Sequence, residues 1–210
     1  MIVITVPHAK PHVEVSRDEI GLPYNDVAHW CDWLAEPGAR LLHQKVAGSV
    51  LLIGDINRTT SDLNRKESRD TEFRKNLGKV LKNADVNFLV DMHSADGNFF
   101  GNEKVTIVEK DIRAWADYQI AGRVNGKSVI RMPKTISGAN AKLVKDLNNA
   151  GIGANIVSAW PNTLDILTQA SKNNVPAMLI ELNEEQYSNF EELNRTIDVI
   201  AKWANELNNQ

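Results

Sequence analysis

Six short apolar runs rich in β-branched residues alternate with amphipathic stretches, and that alternation restricts the fold of this chain more than any other feature of it. "MIVITVP" closes on Pro7 and reads as a buried first strand. "SVLLIGDI", "VNFLVDMH", "KVTIVEK", "IGANIVSAW" and "PAMLIEL" follow as further strands, with "KVTIVEK" expected near a sheet edge. Between them, "NDVAHWCDWLAEPG" puts Val27, Trp30, Cys31 and Leu34 on one helical face, with Asn25 or Asp26 as N-cap and Pro37-Gly38 as the stop. "TEFRKNLGKVLKNA" repeats the helical spacing through Phe73, Leu77, Val80 and Leu81. "AKLVKDLNNAG" is a helix ending at Gly151, and "NTLDILTQASKN" one capped by Asn162 or Thr163. The closing helix, "NFEELNRTIDVIAKWANEL", turns Phe190, Leu193, Ile197, Ile200 and Leu207 inward.

Strands alternating with helices predict an α/β chain: a three-layer α/β/α sandwich, phosphorylase/hydrolase-like, around a mixed, largely parallel sheet. Residues 1–210 read as a single domain, with no repeat, low-complexity tract or linker. At 42% apolar residues the core can be substantial. A net charge of −3 gives no electrostatic reason to expect nucleic acid. No apolar stretch approaches a membrane span, and "MIVITVPHAK" turns polar too soon for a signal peptide. The single cysteine, Cys31, excludes an internal disulfide. Together these features predict a soluble cytoplasmic protein.

Ligands of open α/β sheets sit beyond the carboxyl ends of the strands. There the sequence places His8 after the first strand, "GDINRTTSDLNR" after the second, His93 after the third and Glu181 in "LIELNEEQ" after the last. Imidazoles and carboxylates gathered at one rim suit a hydrolytic zinc site with one position open to water. A third ligand is needed. Asp26 at the start of the first helix is the chosen residue, with His12 and Glu14 as competitors in the preceding loop. Asp91, two residues before His93 on the same strand face, is placed to accept a hydrogen bond behind the ligands. Arg58 and Arg65, with Asn64 beside the latter, point to a substrate bearing a free carboxylate, because guanidinium forks match carboxylates and developing oxyanions. His29 and His43 take no role. Tyr187 and Trp160 stand near the same rim as ordinary packing residues.

"VPHA", "RTTSDLNR" and "VDMHS" together resemble the N-formylglutamate amidohydrolase family, within the zinc-carboxypeptidase-like hydrolases. The resemblance implies His8, Asp26 and His93 as ligands of one zinc ion. It implies Glu181 as general base and acid, Arg58 as oxyanion stabiliser, and Asn64 with Arg65 as a clamp for a small N-acyl amino acid. The chain departs from that pattern in two places: Asp55-Ile56-Asn57-Arg58 is a second Asp-x-Asn-Arg, and the loop after His8 lacks the usual glycine. "VPAMLIELNEEQYSNFEEL" is also similar to zinc-dependent N-acetylmuramoyl-alanine amidases. A cell-wall hydrolase and a non-catalytic metal-binding protein of the same fold are therefore the competing expectations.

Overall fold

The computed structural model describes residues 1–10, 31–58, 60–95, 103–110, 134–159 and 164–209. Its strands are β1 (Ile2–Val6), β2 (Val50–Ile53), β3 (Phe88–Ala95), β4 (Val105–Lys110), β5 (Ala154–Ala159) and β6 (Ala177–Asn183). They form one six-stranded sheet in the order β2-β1-β3-β6-β4-β5. β2, β1, β3 and β6 run parallel, while β4 is antiparallel to β6 and parallel to β5. The sheet is therefore mixed and mostly parallel, as the strand–helix alternation predicts. The helices are α1 (Ala35–Lys45), α2 (Glu72–Val80), α3 (Lys134–Asn149), α4 (Asp165–Lys172) and α5 (Phe190–Asn208). Among the described residues no helix is long and apolar enough to cross a membrane.

Strand periodicity sorts the side chains into two layers. Ile2, Ile4, Val90, Met92 and Ile180 face α1, α3 and α5, packing on Ala39, Leu42, Leu143, Ile197 and Trp203. Val3, Leu89 and Leu179 face α2 and α4, packing on Leu77, Ile166 and Leu167. The first face stays apolar until Ser94, near the end of β3. The second is apolar only at the start of the strands and then becomes polar, with Thr5 on β1, Asp91 and His93 on β3, and Glu181 on β6. The parallel register sets Thr5 beside Asp91 and His93 beside Glu181, so these groups share one face at the carboxyl end of the sheet.

The structure corrects four local expectations. Pro37 and Gly38 do not stop a helix; they lie in the first turn of α1. Proline has no N–H to leave unsatisfied in that turn, so it suits a start as well as a stop. Gly38 lets the helix approach the sheet, since a Cβ there would meet Leu182 Cδ1 at 3.3 Å. β4 is internal, between β6 and β5, and β5 holds the edge. Phe190 is 61% exposed rather than inward, because side chains lean toward a helix's N-terminus and this first residue has no preceding turn to lie on. The N-cap position of α4 is Leu164, without a side-chain cap, while Asn162 and Thr163 lie outside the described residues. Gly151 does end α3: it adopts φ 74°, and Ile152 N–H donates to Leu147 O at 3.0 Å, closing the helix.

Candidate metal centre

His8 emerges directly from β1, held by Pro7 and by two crossing segments. Gly54, just past β2, donates its N–H to Val6 O at 2.8 Å. A Cβ on Gly54 would stand 2.4 Å from Pro7 O and 2.7 Å from Leu63 Cδ1. The chain can pass here only as glycine, because the nearest obstacle is backbone. Gly54→Ala is therefore expected to push apart the segments bearing His8 and Asp62–Asn64. It should cost about 1–3 kcal/mol of stability and weaken cation binding, measured by denaturant unfolding and by zinc titration.

His8 and His93 stand with ring centroids 4.9 Å apart, nearly perpendicular. His8 Nε2 lies 2.8 Å from Asp62 Oδ1, and His93 Nε2 lies 3.1 Å from Asp91 Oδ2. An ionised carboxylate only accepts, so each Nε2 carries a proton toward its carboxylate, and each Nδ1 is the ring atom turned toward the third group. Both Nδ1 atoms face Asp32 Oδ2, at 3.4 Å from His8 and 2.8 Å from His93. His8, Asp32 and His93 are all buried, and one ligand atom from each lies within 4.8 Å of the others. His8 Nδ1 and Asp32 Oδ2 are buried with no hydrogen-bond partner. Buried polar atoms are rarely left so unless something else satisfies them.

Two donors of a tetrahedral zinc ion stand about 3.3 Å apart, given bonds of about 2.0–2.1 Å. The separation of His8 Nδ1 and Asp32 Oδ2, 3.4 Å, matches that value. The His–Asp–His set, with a carboxylate behind each imidazole, can therefore hold a divalent cation.

The site is held together by mutual attraction between its carboxylates and imidazoles, so a cation would bind by displacing the proton of His93. Burial opposes ionisation of Asp32, but the two imidazoles beside it prevail and hold the carboxyl well below its usual range. Burial likewise disfavours a charged His93, yet Asp91 and Asp32 push its pKa well above the ordinary value. Asp62 is half-buried, which raises its pKa, but His8 and Arg58 outweigh this and keep it low. Glu181 goes the other way: desolvation dominates, with Asp32 and Asp91 adding to it against His93 and Arg58, and its pKa is pushed up to about 8.

Among the residues singled out from the sequence, His8, His93 and Glu181 converge at this rim. Asp26, His12 and Glu14 lie outside the described residues, as does Trp160. Arg58 and Arg65 both reach the rim through Asp62 Oδ2, at 3.4 and 3.1 Å. Asn64 sits behind the site. It is 4% exposed, its Nδ2 lies 3.5 Å from Asp91 Oδ2 and 3.3 Å from His93 Nε2, and its Oδ1 accepts from Ile166 N–H at 3.2 Å. Asp91 also accepts from Thr5 Oγ1 at 2.6 Å.

Two residues escaped the sequence reading. Asp32 was hidden in "CDWLAEPG", which reads as mid-helix; taking Pro37 as a start signal would have placed Asp32 in the turn ahead of the helix. Asp62 is the first residue of the Asp-x-Asn-Arg motif, where only the later residues were given roles.

No family model matches the chain, and a search of curated proteins returns no match. Solved structures do resemble it. A gene product of Agrobacterium tumefaciens is similar with a TM-score of 0.65 at 14% identity, over 98% of this chain and 89% of that one. A bacteriophage poly-gamma-glutamate hydrolase follows with a TM-score of 0.49 at 12% identity, over 98% and 82% of the two chains. The catalytic domain of the N-acetylmuramoyl-L-alanine amidase CwlV from Bacillus (Paenibacillus) polymyxa gives 0.48 at 13% identity, over 98% and 97%. At such identities the likeness concerns the fold alone.

Proposed function

We propose that this chain is a zinc-dependent amidohydrolase that cleaves the amide bond of a small N-acyl amino acid bearing a free carboxylate. The observation that carries the reading is the convergence of His8 Nδ1, Asp32 Oδ2 and His93 Nδ1, two of them without any other partner, beside a glutamate on the neighbouring strand. Zinc held there would act as a Lewis acid and lower the pKa of water. The remaining chemistry belongs to the side chains. Glu181 takes a proton from the attacking water, whose oxygen bonds to the amide carbon. The same carboxyl returns that proton to the departing nitrogen as the C–N bond breaks. Its raised pKa suits both directions of transfer near neutral pH.

Arg58, whose charge acts on Glu181 and Asp62, offers positive charge to the developing oxyanion. Arg65, 39% exposed, is the group we assign to the substrate carboxylate. Asn64, with its amide committed to protein partners, supports that site from behind.

The test is metal analysis of the purified protein, paired with a screen of N-acyl amino acids with and without chelator. One zinc per chain and chelator-sensitive release of the free amino acid are expected. Asp32→Ala and His93→Ala should lose the ion while keeping a cooperative unfolding transition. Cleavage that survives complete metal removal would refute the proposal, and cleavage of muropeptides alone would move the substrate to the cell wall.

A further inference from the structure

Asp32 is carried by the turn that leads into α1, and that helix has no cap of its own. Leu34 occupies its N-cap position and offers no side-chain acceptor. The N–H groups of the turn are instead satisfied from distant parts of the chain. Asp32 N–H donates to His8 O at 3.1 Å. Trp33 N–H donates to Glu184 Oε1 at 2.8 Å, and Leu34 N–H to Ser94 Oγ at 3.0 Å. Ser94 Oγ–H in turn donates to the same Glu184 oxygen at 2.5 Å. Ser94 is 4% exposed and follows His93 directly; Glu184 stands immediately beyond β6 and three residues after Glu181.

We propose that Ser94 and Glu184 form a clamp that positions Asp32 as the third donor of the cation site. Three consecutive N–H groups, 32 to 34, are tied one each to the segment bearing His8, the end of β6 and the residue after His93. The Asp32 turn is thereby registered against both histidines at once. A metal site tolerates donor displacements of only about 0.2 Å. A turn held solely by local contacts does not supply that precision, because its rotation about the chain is free to vary. The carboxylate of Glu184 also lies at the positive end of α1, where negative charge is favourable. Ser94 and Glu184 are positioning residues: they reach the cation only through Asp32.

This inference rests on the metal-centre reading above, and the experiment separates the two. Zinc dissociation constants are measured by chelator competition for the wild type and for Ser94→Ala, Glu184→Ala and Glu184→Gln. Amide hydrogen exchange at Trp33 and Leu34 is followed in the metal-free proteins. The alanine variants should bind zinc about 10- to 100-fold more weakly, in the range typical for losing a group behind a metal ligand. Their Trp33 and Leu34 amides should exchange faster. Glu184→Gln keeps an oxygen able to accept from both Trp33 and Ser94, so it should restore most of the affinity. The neighbouring exposed Glu185→Ala should match the wild type.

Folded alanine variants with unchanged zinc affinity would overturn the clamp, since a mere helix cap would alter stability and nothing else. A Glu184→Gln variant as impaired as Glu184→Ala would also overturn it, because charge rather than geometry would then be at work. A wild type that takes up no zinc refutes the metal reading instead. In that case unchanged exchange at Trp33 and Leu34 in Glu184→Ala would refute the clamp as well.

Discussion

Glu181→Gln should lower turnover by about 10²- to 10⁴-fold, the span typical for removing a general acid–base group, while zinc remains bound. Among the described residues, Glu181 is the carboxylic acid at the rim whose proton affinity is raised. It is the register partner of His93 on the adjacent strand, and burial pushes its pKa up to about 8. A second signature appears in the metal-free protein. A carboxyl with an ordinary value of 4.5 that is raised to about 8 by folding binds its proton more tightly in the native state. The native state is then favoured below 4.5, and that advantage is lost as pH climbs through about 8. At pH 7 the cost of holding Glu181 buried is at most about 3 kcal/mol. Glutamine avoids this cost, so metal-free Glu181→Gln should melt higher than wild type at pH 8 and at the same temperature at pH 4. Bound zinc should shrink the difference, because a nearby cation favours the ionised carboxylate. Wild-type turnover in the zinc-loaded variant would remove Glu181 from the chemistry.

Arg74→Ala should destabilise the fold by about 3–5 kcal/mol, as expected when one partner of a buried ion pair is removed. That is a large share of a typical domain's 5–15 kcal/mol. Arg74 is 1% exposed, and all of its nitrogens are engaged. It donates to Gln169 Oε1 at 2.8 Å, Leu63 O at 2.9 Å, Arg65 O at 3.2 Å, Asp165 O at 3.2 Å and Asp165 Oδ2 at 2.7 Å. Arg69 forks across both oxygens of Asp165, with Nε on Oδ2 at 2.8 Å and Nη2 on Oδ1. Removing the Arg74 guanidinium leaves three backbone carbonyls and the Gln169 amide oxygen without that donor, and a buried carboxylate with one arginine instead of two. Leu63 and Arg65 flank Asn64, so the loss should spread to the site and weaken zinc binding as well. Lysine cannot reproduce the fork, and Arg74→Lys should recover little. Burial raises the Asp165 pKa, but Arg69 and Arg74 outweigh it and hold the group below its ordinary 3.8. The stability Asp165 contributes is thus present above pH 3.8 and lost as pH falls through the lower folded value. Denaturant unfolding from pH 7 down to 2 measures both effects; an Arg74→Ala midpoint equal to wild type would contradict the assignment.

The two helix starts explain much of the mismatch between sequence and site. α1 and α4 each lack a side-chain cap of their own. Asn64 serves α4, accepting from Asp165 N–H through its backbone and from Ile166 N–H through its side chain, at 3.1 and 3.2 Å. Ser94 and Glu184 hold the turn that leads into α1. Asp32 itself precedes α1 in a turn rather than lying mid-helix, while Asp26 falls outside the described residues. The Asp-x-Asn-Arg motif was visible as a motif, but nothing local indicates that Asp62 meets His8, 54 residues away.

Periodicity along each strand and helix determined the order of elements, the mixed α/β sheet and the placing of His8, His93 and Glu181 toward the carboxyl end of the sheet, although His93 and Glu181 lie within their strands rather than after them. Those are properties of consecutive residues, set by the two-residue and 3.6-residue repeats of the backbone. Only the tertiary structure decided that Asp32 stands with His8 and His93, that Asn64 turns inward and that β5 rather than β4 forms the edge. A buried polar atom takes its role from whichever group folding brings within about 3 Å of it, and here those groups come from loops far apart in the chain.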